Sequence, residues 1–278
     1  MPGPPRHPVR IEDPSDPRIA GFVSIRERDL TGRQGRFIAE GTVVLRMLAA
    51  AHRAGRGVAA EAILLLENRI AGLADVLAEF PADVPVFAAE ARVFDAIAGF
   101  NMHRGVLALG RRDAMPGMDT LIAGLPASSL VLAACGISNH DNMGTLFRNA
   151  AAFGVDALLM DASSCDPMYR KAIRVSVGSV LTLPFAREGT AASLIERLRA
   201  AGFEIWGLSP SGETDIAGIP PAPRTALLVG TEGEGLPEAI LSSVHTARIR
   251  QRPGLDSLNV AMAAGIALYQ VASVNGRI

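Results

Sequence analysis

Three observations predict an α/β fold for this chain. Short apolar runs alternate with amphipathic stretches along most of its 278 residues, the pattern of strands separated by helices. In the second half, runs such as LVLAACGI and RTALLVG are apolar at nearly every position, as expected for strands of a largely parallel sheet covered on both faces. Three loops rich in Gly, Asn, Asp and Glu stand where a strand-like run gives way to a helix-like one, the usual place for ligand sites in such sheets.

The opening MPGPPRHPVRIEDPSDPRIAG lacks the apolar stretch of a signal peptide, and its prolines predict a loose arm over residues 1–20. From about residue 31, GRQGRFIAEGTVVLRMLAAAHRAG reads as an amphipathic helix with Phe37, Val44, Leu45 and Leu48 near helical spacing, ended by Gly55 and Gly57. AEAILLLE, VPVFAAE and RGVLALGRR read as strands, separated by helical NRIAGLADVLAEF and EARVFDAIAGF. Residues 21–113 are therefore expected to form a small α/β domain. Residues 114–128, rich in small residues and proline, are expected to be a linker.

Residues 129–278 repeat the alternation. LVLAACGI, VDALLMD, TLPFA, FEIWGLS, RTALLVG and TARIRQ read as strands. MGTLFRNAAAFG, DPMYRKAIRVSVG, LIERLRAAG and LPEAILSSV read as helices. Residues 257–276 carry no charge, but Asn259, Gln270, Ser273 and Asn275 with many alanines make them too polar for a membrane span. A buried helix at a subunit interface is expected instead.

The net charge of −1 excludes a general polycation, so nucleic-acid contact must come from local patches. Of the 27 basic residues only Lys171 is a lysine, which codon bias explains as well as function does. Cys135 and Cys165 are the only cysteines and lie in no metal or redox motif, fitting a reducing cytoplasm. The five histidines are scattered with no i, i+4 pair, so no metal site is expected.

Each loop taken singly has an ordinary reading. GTEGEGLP supplies Gly230, Gly233 and Gly235 for close backbone approach to a ligand. It has no lysine, and it sets Glu232 and Glu234 where phosphates would sit, which favours a neutral or cationic ligand. In RPGLDSLN, Asp256 or Ser257 is a natural helix cap, and Asn259 precedes an almost wholly apolar helix in which a buried amide needs partners. In DNMGTLFRNAAAFG, Arg148 has only Gly144, Thr145, Ala151 and Ala152 three and four residues away, so its own helix gives it no acid. Arg248, Arg250 and Arg252 alternate on one side of a strand, and Arg170 and Arg174 form an i, i+4 pair. Solvated surface and phosphate contact are both open for these five. No G-x-G-x-x-G follows a strand, which argues against an ordinary Rossmann domain.

Together, NMGTLFRNAAAFG, LLVGTEGEGLP and IRQRPGLDSLNVAMAAGIALYQ resemble, in order and spacing, the three motifs of the SpoU (TrmH-type) RNA ribose methyltransferases of the SPOUT superfamily. GRQGRFIAEGTVVLRMLAAA also resembles that family's substrate-binding extension, a small α/β domain similar to certain ribosomal proteins. The resemblance implies a C-terminal domain tied in a trefoil knot, S-adenosylmethionine as methyl donor, a ribose 2′-hydroxyl of RNA as acceptor, and a homodimer formed through that domain. By position it implies Asn142, Arg148, Glu232, Ser257 and Asn259 as catalytic, and Gly230, Thr231, Ile249 and Leu258 as donor-binding. The family's Pro-Met after Ile249 is replaced here by Arg250 and Gln251.

Under the resemblance, Arg148 is either the base or a clamp on the target nucleotide's phosphate. Glu232 is expected to brace it, and Asn142 and Asn259 to orient it or the ribose. Residues 18–56 hold eight arginines against Glu27, Asp29 and Glu40; Arg26, Arg33 and Arg36 there, with Arg170, Arg174, Arg250 and Arg252, are the candidate RNA contacts. Ribosomal RNA is the expected substrate. A tRNA target, an antibiotic-resistance methylation and a non-catalytic RNA-binding role are the alternatives.

Overall fold

The computed structural model describes residues 7–23, 35–98, 105–113, 115–252, 254 and 257–278. The chain divides into two compact units, residues 1–115 with 168–182, and residues 116–167 with 183–278.

The first unit is built on a five-stranded sheet, β1 (Val9–Ile11), β2 (Arg36–Glu40), β3 (Val58–Leu66), β4 (Val86–Ala89) and β5 (Val106–Arg112), in the order β1-β4-β3-β5-β2. β1 and β3 run parallel to β4, while β5 runs antiparallel to β2 and β3. Its helices include α1 (Thr42–Arg53), α2 (Ala74–Leu77) and α3 (Ala91–Ala98). The expected loose arm is only partly so. Val9–Ile11 joins the sheet, and Ile11, Ile19 and Phe22 are buried in the core. Nor does one helix run from residue 31. Phe37 lies on β2, and Gly41, with φ of 97°, breaks the chain before α1 starts at Thr42. That backbone conformation is open to glycine at little cost. The helix expected across NRIAGLADVLAEF is reduced to 3₁₀ turns and the four residues of α2.

The second unit carries seven strands: β6 (Ser129–Ala134), β7 (Ala157–Met160), β8 (Phe185–Arg187), β9 (Glu204–Leu208), β10 (Thr214–Asp215), β11 (Arg224–Val229) and β12 (His245–Arg248). Their order is β10-β12-β9-β11-β6-β7-β8, and every pairing is parallel. β6 and β7 are buried along their whole length, because helices cover both faces. Those helices include α4 (Met118–Ala123), α5 (His140–Ala152), α7 (Ala191–Ala200), α8 (Glu238–Leu241) and α9 (Val260–Val274). α4 falls inside the expected linker; Met118 and Ile122 are apolar at helical spacing and enter the core. Among the described residues no helix is long and apolar enough to cross a membrane.

The remaining helix, α6 (Arg170–Val175), is shorter than the sequence suggested and lies in the stretch 168–182 that groups with the first unit. There Arg170 and Arg174 approach the buried Glu40 carboxylate at 4.0 and 3.8 Å. The contacts run from β2 to α6, two elements 130 residues apart by number and invisible to any local pattern.

β6 and β11 are neighbours in register, Ser129–Ala134 beside Arg224–Val229. The chain leaves β6 towards β7 and leaves β11 in the other direction, making a topological switch point. Loops leaving the carboxyl ends of two such strands open a crevice between them.

Candidate functional site

Helix α5 starts on a side-chain cap: Asn139 Oδ1 accepts from the Asp141 N–H at 2.7 Å. That fixes Asn142 in the first turn, buried, on the side facing the β11 loop. Asn142 Nδ2 donates to Glu232 Oε1, and Asn142 Oδ1 accepts from Asn259 Nδ2 at 2.9 Å. Asn259 Oδ1 in turn accepts from the N–H groups of Ala261 and Met262 at 3.0 and 3.2 Å. A single chain of amides and a carboxylate thus joins all three loops and ends on the first turn of α9. An amide can do this because it donates and accepts at once.

Asn259, not Asp256 or Ser257, is the cap of α9. It is exposed, so its partners are explained by capping rather than by burial. Asp256 lies outside the described residues, and Ser257 is exposed two residues before the cap.

Beside this chain lies a cavity of about 640 Å³, lined by Gly230, Thr231, Ile249, Ser257, Leu258 and Asn259 among others. Gly230 is fixed by close approach: a Cβ there would stand 2.2 Å from the Gly235 carbonyl carbon. Thr231 and Gly235 exchange backbone hydrogen bonds at 3.1 Å, closing the loop that presents Glu232. The described lining includes Glu232, Glu234 and Glu238, with apolar Leu208, Leu236 and Val260, and no arginine, lysine or histidine. Such a wall suits a flat apolar group bearing positive charge and disfavours a polyphosphate.

Arg148 stands apart. It is six residues beyond Asn142 on α5, roughly 120° around the helix axis. It is exposed, and no described residue makes a hydrogen bond or ion pair to it. The expected brace from Glu232 is therefore absent, because Glu232 holds Asn142 instead.

Several of the candidate RNA contacts have partners within the chain. Arg36 pairs with Glu61 at 2.7 Å, and Arg170 and Arg174 with Glu40. β12 ends at Arg248, so the three alternating arginines do not share a strand. Arg248 donates to the Gly212 and Glu213 carbonyls at 2.6 and 3.1 Å, and Arg250 pairs with Asp215. Only Arg252 of these stays exposed without a partner among the described residues. Arg26 and Arg33 lie outside the described residues.

Sequence reasoning missed a buried bracket beneath the first loop. Asp161 Oδ1 accepts from the Gly136 and Ser164 N–H groups, each at 3.0 Å, and from the Ser164 hydroxyl at 2.8 Å. Ser164 Oγ also accepts from the Ile137 N–H at 3.1 Å. The signal was present as DASS at the carboxyl end of β7, a polar cluster at a site-forming position. Next to it, burial pushes the Cys165 thiol up to about 11, with the Asp166 and Glu232 carboxylates adding to the rise. Burial likewise lifts Cys135 to about 12.

The model of the SpoU rRNA Methylase family matches residues 129–269. The chain belongs to this family. As a SpoU-family protein it is 36% identical over 269 residues to an "Uncharacterized tRNA/rRNA methyltransferase" of Mycobacterium tuberculosis (strain CDC 1551 / Oshkosh), covering 93% of this chain and 89% of that one. It is 30% identical over 148 residues to the 23S rRNA (guanosine(2553)-2'-O)-methyltransferase RlmP of Bacillus subtilis (strain 168), covering 53% of this chain and 59% of that one. Among solved structures it resembles the SpoU methyltransferase AviRb from Streptomyces viridochromogenes, in complex with the cofactor AdoMet. The TM-score there is 0.77 at 22% identity, over 95% of this chain and all of that one. At that identity the likeness speaks to the fold.

Proposed function

We propose that this SpoU-family chain methylates a ribose 2′-hydroxyl in structured RNA, with S-adenosylmethionine as donor, and that ribosomal RNA is the substrate. The observation that carries the reading is the hydrogen-bonded run Glu232–Asn142–Asn259 beside a cavity free of basic side chains among its described lining. The named 23S rRNA relative favours ribosomal RNA over tRNA.

The cavity residues fit the donor. Gly230, Thr231, Ile249 and Leu258 line it, the leucines giving an apolar wall and the glutamates a negative rim. When bound, S-adenosylmethionine supplies an electrophilic methyl group on a sulfonium. The protein's part is positioning, which can remove about 7–11 kcal/mol of barrier. Glu232, fixed by Asn142, presents a carboxylate oxygen to the ribose; Asn142 is fixed in turn by Asn259. Guanidinium groups stay protonated across the working pH range, so Arg148 is assigned a grip on a phosphate rather than proton abstraction. The hydroxyl proton leaves to phosphate or water.

Arg148, with no partner among the described residues, is read as serving a site completed by a second copy. Met262, Ile266 and Tyr269 on α9 are 59%, 41% and 57% exposed and share one helical stripe. α9 lies beside α5, since Asn149 donates to the Ala261 carbonyl at 2.8 Å and Phe153 meets the Tyr269 ring edge-on. We read this apolar stripe as the homodimer face, the C-terminal domain as trefoil-knotted, and the first unit as the RNA-binding extension.

Mapping 2′-O-methyl sites in total RNA from cells with and without the gene tests the reading. One ribosomal site is expected to disappear with the gene. An unchanged ribosomal map with a lost tRNA site moves the substrate to tRNA. No lost site, with no donor binding by calorimetry, leaves a non-catalytic RNA-binding protein.

A further inference from the structure

The donor cavity has one wall made by a loop with few strand hydrogen bonds. Ser209, Pro210 and Ser211 line it between β9 and the two-residue strand β10, and Ile249 and Gln251 line it just beyond the end of β12. Both segments are held by contacts centred on one strand end. The Ser209 N–H donates to the Ala247 carbonyl at 3.0 Å, and the Glu213 N–H to Thr246 Oγ1 at 3.0 Å. Gly212 lies so close on β12 that a Cβ would stand 2.5 Å from the Ala247 carbonyl carbon. Arg248 clasps the carbonyls of Gly212 and Glu213.

Arg250 finishes this arrangement. It sits between Ile249 and Gln251, both of which line the cavity. That side chain is 83% exposed, yet its Nε reaches back to Asp215 on β10. Asp215 is itself fixed, its Oδ1 accepting from the Ala217 N–H at 3.0 Å, and only 19% of its side chain is exposed. The Ala217 N–H, Arg250 and Arg248 together hold the Asp215 carboxyl below the usual carboxylate range.

We infer that Arg250 and Asp215 are a positioning pair that ties the Ile249–Gln251 segment to the Ser209–Ser211 loop and so sets the affinity of the donor cavity. Neither side chain lines the cavity itself. The inference rests on the proposed S-adenosylmethionine site.

The test is titration calorimetry of the full-length protein with S-adenosylmethionine at low and high potassium chloride. Arg250→Met and Asp215→Asn should each weaken donor binding about three- to fivefold, the range of a partly exposed ion pair. The double variant should be no weaker than either single one, and Arg250→Lys should recover most of the loss. Wild-type affinity should fall more steeply with salt than the variants' affinity, because salt screens the pair in addition to the attraction of the acidic rim for the donor. Wild-type protein that binds the donor, with variants of equal affinity and equal salt dependence, overturns the pair alone. Wild-type protein that binds no donor overturns both the pair and the functional reading beneath it.

Discussion

Both units neutralise most of their arginines within the fold, as Arg197, Arg248, Arg250 and Arg277 show in the second, and they differ in where the unmatched ones stand. In the first, Arg36, Arg46 and Arg53 pair with Glu61, Asp75 and Glu79, and Arg56 donates to the Thr182 carbonyl. Arg170 and Arg174 converge on Glu40. In the second unit Arg148 stands exposed on α5 with no described partner. A local surplus of arginine in the sequence is therefore weak evidence for RNA contact, because acids distant in sequence neutralise it in the fold. An arginine that the fold leaves unmatched is the better candidate. In the first unit Arg69 and Arg92, which no motif singled out, are the exposed arginines of that kind among the described residues.

That contrast can be broken in four ways. The largest expected effect is on Arg148→Ala, which should lower methyl transfer to saturating RNA about 1000-fold, or about 4 kcal/mol, as for loss of one transition-state contact. Donor binding and thermal melting should stay unchanged, since no described residue makes a hydrogen bond or ion pair to Arg148. Turnover within a few-fold of wild type would return Arg148 to the solvated surface.

Next, the double substitution Arg170→Gln/Arg174→Gln should destabilise the protein by about 3 kcal/mol, because it leaves the buried Glu40 carboxylate uncompensated. Urea unfolding measures it. RNA affinity and its salt slope should not change; a flatter salt slope would mean these arginines touch phosphate after all.

Asn259→Ala comes third, with a loss of about 1 kcal/mol from the missing cap of α9, read as a lower melting temperature. It should also lower turnover, by freeing Asn142. A variant that melts lower but turns over normally would separate the cap from the site.

The smallest effect concerns Cys165. Its thiol is pushed up to about 11, and Cys135 to about 12, so the reactive thiolate is scarce at neutral pH. Alkylation of the native protein at pH 8 should be far slower than of the urea-unfolded chain, and should keep rising about tenfold per pH unit towards pH 11. Fast labelling at pH 8 would show that the surroundings of Glu232 are open.

Much of the second unit was legible because each parallel strand is apolar throughout and each crossover helix has its own local period. LVLAACGI, VDALLMD and RTALLVG became β6, β7 and β11 with small shifts at their ends. The first unit was harder to read. RFIAE carries apolar residues that fit either period, and the decision fell to its antiparallel pairing with β5, which no local window contains. α4 was hidden for a related reason: proline and small residues around MDTLIA resembled a linker, and only the core that receives Met118 and Ile122 makes it structural.

The same division runs through the site. By itself the sequence determined which residue types stand in the three loops, that Arg148 has no acid three or four residues away, and that the Gly-rich loop carries carboxylates where a phosphate cradle would need a base. These are local properties, settled by spacing along the chain. Only the tertiary structure decided the partners. Placing β6 beside β11 brought Glu232 to Asn142 and left Arg148 alone, because six residues of helix turn it away. Partner choice depends on which strand ends become neighbours, and that is fixed by sheet order across a separation of 90 residues, not by any motif.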